Sequence, residues 1–503
     1  MRIFCRTTGA AVLGADARLV DVQVSIAAAE EGGDPAFRIV GLPDSALREG
    51  RERIRGAVLH GRWPWPFAPI TVNLAPAAAR KAGAGLDLPI AIGVLAAAGA
   101  CGPVEALADA LFLGELTLDG RVRPVRGVLA AVEAARHAGR ERAFVPRDNA
   151  AEAAAVGDLA VHAVDTLTDV VSHLDGTTVL PLHVEPPWSA AVDDGPSPVR
   201  GQPFAVRAAW VAAAGGHNLL LHGPPGCGKT LLAREVARRM PPMARDEAAA
   251  SSRIHSVAGL LEGGLLRRRP FRAPHHTTTL AGLVGGGLHP RPGEVSLAHG
   301  GVLFLDELVE FPRGILEALR QPIEDGHLTV ARAGGSVRFP ARVVLVGACN
   351  PCPCGWFGVG DRCRCPRTAR ERYARRLSGP LRDRFDLQVA MHPVDPGTLV
   401  DAEADAPYDA AAVERARKRQ VERATALDMA APWNARLPAS VLPAGANPAP
   451  GARAHLVRFA RVRGLSARGV HRTLRVARTL ADLRDHDTIE VPDVDLALNL
   501  RSS

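Results

Sequence analysis

Residues Asn218–Ala233, NLLLHGPPGCGKTLLA, decide the fold of this chain. Three leucines with strand character lead into a Gly/Pro turn, and a helix-forming run follows, which is the context that the motif G-x-x-x-x-G-K-[ST] requires. Glycines let main-chain N–H groups turn around phosphate oxygens, the lysine reaches the β- and γ-phosphates, and the threonine hydroxyl can ligate Mg²⁺. The predicted phosphate-loop residues are Gly223, Pro224, Pro225, Gly226, Cys227, Gly228, Lys229 and Thr230.

A second motif, GVLFLDEL, spans Gly301–Leu308. Its apolar run is typical of a buried parallel strand, and open α/β sheets bind ligands at the carboxyl ends of such strands. We predict that Asp306 holds Mg²⁺, directly or through water, and that Glu307 polarises the attacking water. The alternative is a strand that ends in solvated acids. With the phosphate loop upstream, the pair of motifs predicts ATP hydrolysis.

Three further positions resemble nucleotide-sensing residues of AAA+ ATPases. The run RVVLVGACN ends at Asn350, where that family has the residue called sensor 1. LSGPLRDRFDLQV places Arg384 in the context of the family's arginine finger, with Arg382 as the competing candidate. SARGVHRTLRVARTLADL resembles the sensor 2 helix, with Arg468 as a phosphate contact or, alternatively, a solvent-facing residue. The resemblance implies a ring, expected to be a homohexamer, in which one subunit supplies its arginine to its neighbour's nucleotide.

The segment EDGHLTVARAGGSVRFPAR, which follows the acidic motif, predicts a β-hairpin. LTVAR and SVRFP alternate apolar and polar residues, and two glycines supply the turn. AAA+ proteins with a hairpin at this place direct it into the ring pore, where arginines can track a phosphate backbone. Ordinary solvated arginines are the alternative. The candidate DNA contacts are Arg332, Arg338, Arg272 and the run Arg267–Arg269.

Two adjacent histidines, His275 and His276, precede the acidic motif. On a strand their side chains would point to opposite faces, which argues against a shared metal ion. We therefore expect a structural role or a position near the nucleotide.

Five of the eight cysteines lie between Cys349 and Cys365. Disulfides are disfavoured in a reducing compartment, so this cluster indicates a metal site. Two close-spaced groups around a short loop fit a tetrahedral Zn²⁺ site, and Cys349 is expected to be a buried core thiol instead. Reduced cysteines that merely pack a loop are the alternative. The predicted ligands are Cys352, Cys354, Cys363 and Cys365.

The first part of the chain resembles the proteolytic domain of Lon-type proteases, in LGELTLDGRVRPVRGVLAAVEAARHAG and RAFVPRDN. That family uses a serine nucleophile and a lysine base, which would fall near Gly85 and Leu129. Neither position carries a group that can act in either role. Lys81 and Ser45 are present elsewhere, but nothing in the sequence pairs them. We therefore predict a Lon-like α/β domain that is not a peptidase.

Length and composition set the domain count and the compartment. A chain of 503 residues predicts about three domains, and its formal net charge of +8 permits a nucleic-acid partner without establishing one. The start lacks a sustained apolar region, and the longest apolar run is about half of the roughly 20 residues that a spanning helix needs. We expect a cytoplasmic protein with no membrane partner. The predicted α/β organisation is a Lon-like domain at 1–180, a linker at 181–200, an AAA+ ATPase at 201–400 and a helical lid at 401–503.

The stretches RPFRAPHHT, GEVSLAHGGVLFLDEL and ACNPCPCG resemble the ComM/YifB family of magnesium-chelatase-like AAA+ ATPases, and the resemblance covers nearly the whole chain. It implies an ATP- and Mg²⁺-dependent hexameric helicase that promotes branch migration on single-stranded or branched DNA during natural transformation. One alternative is a chelatase-type motor that remodels a protein partner. The other is a Lon-like binding module with a vestigial ATPase, against which the intact nucleotide motifs argue.

Overall fold

The computed structural model describes residues 3–27, 36–76, 83–191, 195, 197–287, 290–332, 335–397, 409–429 and 431–501. Lys81 lies outside the described residues, as do the side chains of Ser45 and Arg332. The described chain forms a mixed N-terminal α/β unit, a parallel α/β core and a set of C-terminal helices. None of the helices described is both long and apolar enough to cross a membrane.

The N-terminal unit is built on a mixed sheet. Its strands are β1 (Ile3–Leu13), β2 (Asp16–Ile26), β3 (Phe37–Val40), β4 (Ile70–Ala75), β5 (Ala110–Phe112), β6 (Glu115–Leu116), β7 (Val122–Arg123), β8 (Arg142–Pro146) and β9 (Ala160–Val164). Within the described residues, seven of them pair in the order β3-β4-β2-β1-β5-β8-β9. The hairpin of β1 and β2 is antiparallel, with Leu13 opposite Asp16, whereas β5, β8 and β9 are parallel to one another.

Helices cover this sheet. They are α1 (Ser45–His60), α2 (Asp87–Ala97), α3 (Val128–His137), α4 (Ala150–Ala154) and α5 (Leu167–Leu174). Oδ1 of Asp44 accepts the main-chain N–H of Leu47 at 2.9 Å, which caps α1 and satisfies one of its free donors. Every residue of α2 is buried, because α2 contacts both β1 and β2 as well as α1. Leu129, which has no titratable group, packs in the apolar core of this unit.

The core sheet carries the nucleotide motifs. The strands are β10 (Leu219–His222), β11 (Phe271–Arg272), β12 (Val302–Leu305), β13 (His327–Arg332), β14 (Gly335–Pro340), β15 (Val344–Cys349) and β16 (Leu387–Ala390). The parallel sheet has the order β11-β12-β15-β10-β16, and β13 and β14 form the predicted hairpin. Leu219 and Leu221 pack in one hydrophobic cluster and Leu220 in another. Both faces of this sheet are covered, which explains why the sequences of its strands are continuous apolar runs.

The remaining helices surround that sheet. They are α6 (Pro203–Gly215), α7 (Lys229–Arg239), α8 (Arg245–Ala258), α9 (Leu280–Val284), α10 (Glu294–Leu297), α11 (Arg313–Ala318), α12 (Arg320–Asp325), α13 (Arg367–Arg376), α14 (Gly379–Arg382), α15 (Ala410–Ala426), α16 (Leu442–Ala446), α17 (Pro450–Arg463), α18 (Ala467–Leu483) and α19 (Val491–Asn499). Helix α18 contacts α15, α19 and α6, and so joins the C-terminal helices to the core. Buried Arg478 and Asp482 of α18 form an ion pair at 3.0 Å, which Arg423 of α15 joins at 2.7 Å.

The N-terminal unit packs directly against the core. The main-chain N–H of Gly127 donates to the carbonyl of Ser256 in α8 at 3.0 Å, and Arg253 of α8 pairs with Glu133 of α3 at 2.9 Å. The turn between β1 and β2 brings Ala15 into one apolar cluster with Val337 of the hairpin. The N-terminal unit therefore touches the hairpin that the sequence predicts to face DNA.

Acid is expected to destabilise the core through His299. Desolvation lowers the pKa of His299 from 6.5 to about 4, and the charge of Arg342 acts in the same direction. As the pH falls, the unfolded chain therefore binds this proton before the folded chain does. The contribution of neutral His299 to the free energy of unfolding is present above pH 6.5 and is lost as the pH falls towards 4. Nδ1 of His299 accepts the main-chain N–H of Arg342 at 3.0 Å, and an asparagine oxygen can replace it.

We expect His299→Asn to lose less thermal stability than the wild type between pH 7 and pH 4.5. The measurement is the midpoint of thermal unfolding, followed by circular dichroism at both pH values. Equal losses in the two proteins would contradict the assignment.

Candidate nucleotide-binding and catalytic site

The predicted phosphate loop joins the carboxyl end of β10 to the first residue of α7. Gly226 and Gly228 have φ angles of +78° and +93°, a region that residues with a Cβ disfavour. A Cβ at Gly223 would lie 2.7 Å from the carbonyl oxygen of Met391, so glycine permits the close approach of the segment after β16. The loop therefore presents main-chain N–H groups at the N-terminus of an eleven-residue helix, which is an anion-binding arrangement.

Lys229 is buried inside this loop. Its ammonium donates to the carbonyl oxygens of Gly223 at 2.7 Å and Pro224 at 2.9 Å, and to Oδ1 of Asn350 at 3.0 Å. These oxygens offset the cost of burying a cation. Asn350 directly follows β15, which pairs with β10. The structure thus brings the predicted lysine and the sensor 1 candidate together at one edge of the sheet.

The acidic pair lies at the same edge. Oγ1 of Thr230 donates to Oδ2 of Asp306 at 3.1 Å, and both side chains are exposed to solvent. A hydroxyl and a carboxylate are hard oxygen ligands, so the two residues fit Mg²⁺. Glu307 has a φ angle of +49°, and its main-chain N–H donates to Oδ1 of Asp306 at 2.9 Å. Such left-handed backbone at a non-glycine residue is costly and occurs at functional sites.

The two histidines differ from the sequence prediction. They lie in a loop after β11 and not on a strand, and their ring centroids are 4.1 Å apart. The expectation of opposite faces was therefore wrong, because it assumed a strand. Nδ1 of His276 lies 3.3 Å from Oε2 of Glu307. His276 therefore contacts the predicted catalytic carboxylate, and its position near a nucleotide stays a prediction.

Arg384 and Arg468 lie at the opposite edge of the core sheet. The amide of Asn218, the residue before β10, donates to the carbonyl of Arg384 at 3.0 Å. Since β10 and β16 are parallel, with Leu219 beside Leu387, this contact marks their amino-terminal ends. The four residues of β10, about 13 Å of strand, separate it from the phosphate loop. The fold therefore does not bring Arg384 to its own chain's phosphate loop.

A cavity of about 340 Å³ at this edge gathers basic side chains from the core and from α18. Three of them, Arg468, Arg472 and Arg475, recur at helical spacing and so share one face of α18. Its charged and imidazole lining residues are Glu324, Arg384, Asp386, Arg436, Arg468, His471, Arg472 and Arg475. Five arginines against two acids give the cavity a net positive lining.

Arg384 is poised at this cavity. Its guanidinium pairs with Glu324 at 2.8 Å and donates to the carbonyl of Pro380 at 2.7 Å, while its buried Nε has no hydrogen-bond partner among the described residues. Arg382, the competing candidate, donates instead to Oε1 of Gln388 at 3.1 Å and does not line the cavity. Of the two candidates, Arg384 is the one that lines the cavity, and its role as an arginine finger stays a prediction.

Asp386 keeps its charge beside these arginines. Burial alone would raise its pKa, but the adjacent His217, whose Nδ1 lies 3.7 Å from Oδ2, and the charge of Arg472 hold the pKa at about 2. The carboxylate therefore fixes the N-terminal ends of β10 and β16, where it also accepts the main-chain N–H of Asn218 at 3.1 Å.

The candidate DNA contacts fall into different places. Arg338 is exposed on β14, where its Nη2 lies 3.0 Å from Nδ1 of His327 on the paired strand. Arg272 lies in the core sheet, and its guanidinium makes two bonds to Glu294, at 2.6 and 2.8 Å. Arg269 is similarly paired with Glu247 at 2.8 Å. Carboxylates distant in sequence therefore neutralise the charges of Arg272 and Arg269, which gives these two arginines a structural role. Among the described residues of the hairpin, Arg338 remains the candidate for a DNA contact.

The four predicted cysteine ligands converge. Sγ of Cys352 lies 3.4 Å from that of Cys354 and 3.7 Å from that of Cys363, and all four sulfurs lie within 4.8 Å of one another. Bonds of about 2.3 Å to a tetrahedral Zn²⁺ place sulfurs about 3.8 Å apart. The main-chain N–H of Trp356 lowers the pKa of Cys354 to about 6, whereas hydrogen bonds among the sulfurs raise the pKa of Cys363 and Cys365. Cys349, as expected, is buried in the strand.

Sequence reasoning missed several residues of the site. Arg436 and Glu324 carry no motif at all, and although His276 was singled out, no pattern linked it to Glu307. The spacing of Arg468, Arg472 and Arg475 was a readable signal, since positions i, i+4 and i+7 share a helix face.

Comparisons with known proteins cover almost the whole chain. Residues 197–399 match the family described as magnesium chelatase, subunit ChlI; residues 23–149 match subunit ChlI of Mg-chelatase; and residues 408–501 match the C-terminal part of subunit ChlI. Competence protein ComM of Haemophilus influenzae is 39% identical over 98% of this chain and 96% of its own length. YifB of Escherichia coli is 38% identical with the same coverage. An uncharacterized protein of Mycobacterium tuberculosis is 43% identical over 99% of this chain and 98% of its own length.

Proposed function

Because the chain belongs to the ComM/YifB family of magnesium-chelatase-like AAA+ ATPases, we propose that it is an ATP-driven DNA motor that works as a ring of identical subunits. One observation carries this proposal: Lys229 and Asp306 lie at one edge of the core sheet, and Arg384 lies at the other. A complete site for ATP then needs one edge from each of two copies. When every copy uses both edges, the contacts are head-to-tail, and a rotation that closes gives a ring, which we expect to be a hexamer.

Hydrolysis would be divided among side chains of the edge that holds the phosphate loop. Lys229 would neutralise the β- and γ-phosphates, and Thr230 and Asp306 would hold Mg²⁺, whose charge offsets that of the phosphate oxygens. Glu307 would orient the attacking water and take its proton, and Asn350 would donate its amide N–H to that water or to the γ-phosphate.

The opposite edge would serve the neighbouring subunit. The anion suited to its cavity is the γ-phosphate of a nucleotide bound to the next copy, with Arg384 as the finger and Arg468 as the sensor 2 contact. An incoming phosphate would compete with Glu324 for Arg384. Glu324 lies at the end of α12, and β13 of the hairpin begins at His327. This ion pair therefore supplies a direct link between the nucleotide at an interface and the hairpin.

DNA is the substrate that the hairpin and the relatives support. Arg338 is exposed on the hairpin, and the formal net charge of +8 suits a polyanion. A full-length relative is named a competence protein, which supports a role in the integration of DNA during natural transformation or recombination. Similarity over the whole length to that protein and to YifB favours this function over a chelatase-type motor that remodels a protein.

We expect Arg338→Ala to weaken DNA binding without changing ATP affinity. Each subunit that engages DNA would lose one phosphate contact. The slope of log affinity against log salt concentration should therefore become less steep by about one per engaged subunit. The measurement is fluorescence anisotropy of labelled forked DNA over a series of salt concentrations. Arg55→Ala is the matched control, because Arg55 is an exposed arginine on α1 of the N-terminal unit.

The same DNA tests the proposal as a whole. Forked or single-stranded DNA should raise the rate of ATP hydrolysis by the wild type, and Arg338→Ala should respond less. If DNA leaves the rate unchanged and binding shows no salt dependence, the DNA-motor proposal fails while ATP hydrolysis still stands.

Zn²⁺ completes the set of bound groups in this proposal. Cys352, Cys354, Cys363 and Cys365 would hold it as four thiolates, and their sulfur spacing supports that geometry. Metal analysis of protein purified without chelator should find about one equivalent per chain.

A further inference from the structure

The loop that carries the four cysteines also forms one wall of the phosphate loop. It begins at Pro351, directly after Asn350. Oδ1 of Asn350 accepts a hydrogen bond from the ammonium of Lys229. Gly355 has a φ angle of +83°, and a Cβ there would lie 2.7 Å from Cδ of Pro225 in the phosphate loop. The main chain at Gly355 therefore contacts the nucleotide site with no room for a side chain.

Burial alone gives this loop little support. Between Pro351 and Pro366 only Cys352 and Gly355 are buried, and the one regular element described there is a short 3-10 turn at Gly360–Arg362. Segments with few buried apolar contacts open readily. The main-chain N–H of Gly355 donates to the carbonyl of Cys352 at 2.9 Å, so the contact residue is tied to a cysteine of the cluster.

We propose that metal bound by the four cysteines clamps this loop against the phosphate loop, so that binding of ATP depends on a structural metal ion. The inference rests on the proposed Zn²⁺ site and adds a function to it. With metal bound, Cys352 and Cys354 fix the turn that holds Gly355 on Pro225 and sets the position of Asn350. Without it, the wall loosens, Lys229 loses an ordered partner, and the loop must be reordered when nucleotide binds.

The first test removes the metal from the full-length protein. Zn²⁺ would be stripped with 1,10-phenanthroline in excess Mg²⁺, and the affinity for a fluorescent ATP analogue would be measured before stripping, after stripping and after adding Zn²⁺ back. We expect affinity to fall at least about tenfold and to return with Zn²⁺. Unchanged affinity in protein shown to have lost its metal would overturn the clamp while leaving the metal site intact.

Three variants separate the clamp from general destabilisation. The double variant Cys363→Ser with Cys365→Ser should lose both metal and ATP affinity, and added Zn²⁺ should not restore them. Gly355→Ala should keep its metal and still bind ATP at least about tenfold more weakly, because its Cβ collides with Pro225. Cys101→Ala, a buried cysteine of the N-terminal unit, is the control and should retain both properties.

Other outcomes are equally decisive. Wild-type protein with no metal and four free thiols would overturn the Zn²⁺ site and the clamp together, without bearing on DNA-stimulated hydrolysis. A disulfide within the cluster, seen as a loss of two mass units, would do the same. If Gly355→Ala bound ATP normally, the wall would have no role in nucleotide binding.

Discussion

Glu307→Gln is expected to lower ATP turnover by a factor on the order of 10²–10⁴ while nucleotide affinity changes little, since general-base catalysis typically contributes that much. The carboxylate lies one residue beyond Asp306, on strained left-handed backbone, and contacts His276 at 3.3 Å. Glutamine keeps the shape and the hydrogen-bonding reach but cannot accept the proton of the attacking water. The loss should therefore appear in kcat and not in ATP binding.

The measurements are steady-state hydrolysis, binding of a fluorescent ATP analogue, and branch migration on a synthetic three- or four-way junction. Junctions should bind to the variant but fail to migrate. Lys229→Ala is the control for the opposite pattern, because the buried ammonium should be needed for nucleotide binding itself. Wild-type turnover by Glu307→Gln would assign the chemistry to another residue.

Arg384→Ala is expected to reduce turnover by a factor on the order of 10³–10⁵, the range of arginine fingers. ATP binding to the same chain should survive, because Arg384 lies at the sheet edge opposite the phosphate loop. Its side chain is largely buried and paired with Glu324, so the thermal midpoint must be measured alongside activity. Glu324→Gln removes that pair while keeping the arginine, and it controls for the loss of the ion pair alone.

Mixing two inactive variants gives the sharpest test of a shared site. Lys229→Ala subunits have an intact Arg384, and Arg384→Ala subunits have an intact phosphate loop. Where the two adjoin in the right order, one complete site forms, so the mixture should hydrolyse ATP faster than either variant alone. A mixture as inactive as its components would argue that Arg384 acts within its own chain or not at all.

Local motifs made much of the core predictable. The phosphate loop, the acidic strand end and Asn350 each combine a short apolar strand with polar residues at its carboxyl end, and parallel strands bring those ends to one edge. The hairpin was predictable from alternation and two glycines, and the convergence of the four cysteines from their spacing. In each case the information lies within one short stretch of chain.

Long-range partners were not predictable. Arg272 looked like its arginine neighbours until Glu294 was found to pair with it, and His276 was assigned to a strand until the structure placed it in a loop beside Glu307. Charge in a sequence does not reveal whether a carboxylate from another element will neutralise it.

The sequence by itself determined which residue types form the candidate phosphate, Mg²⁺ and thiolate sites, because such sites are predicted from residue types at fixed short spacings. Only the tertiary structure decided how these parts are shared. It placed Lys229 and Arg384 at opposite edges of one sheet, gathered arginines from α18 around Arg384, and set Gly355 against Pro225. These relations depend on the direction of strands and on the packing of distant segments, which no single stretch of sequence contains.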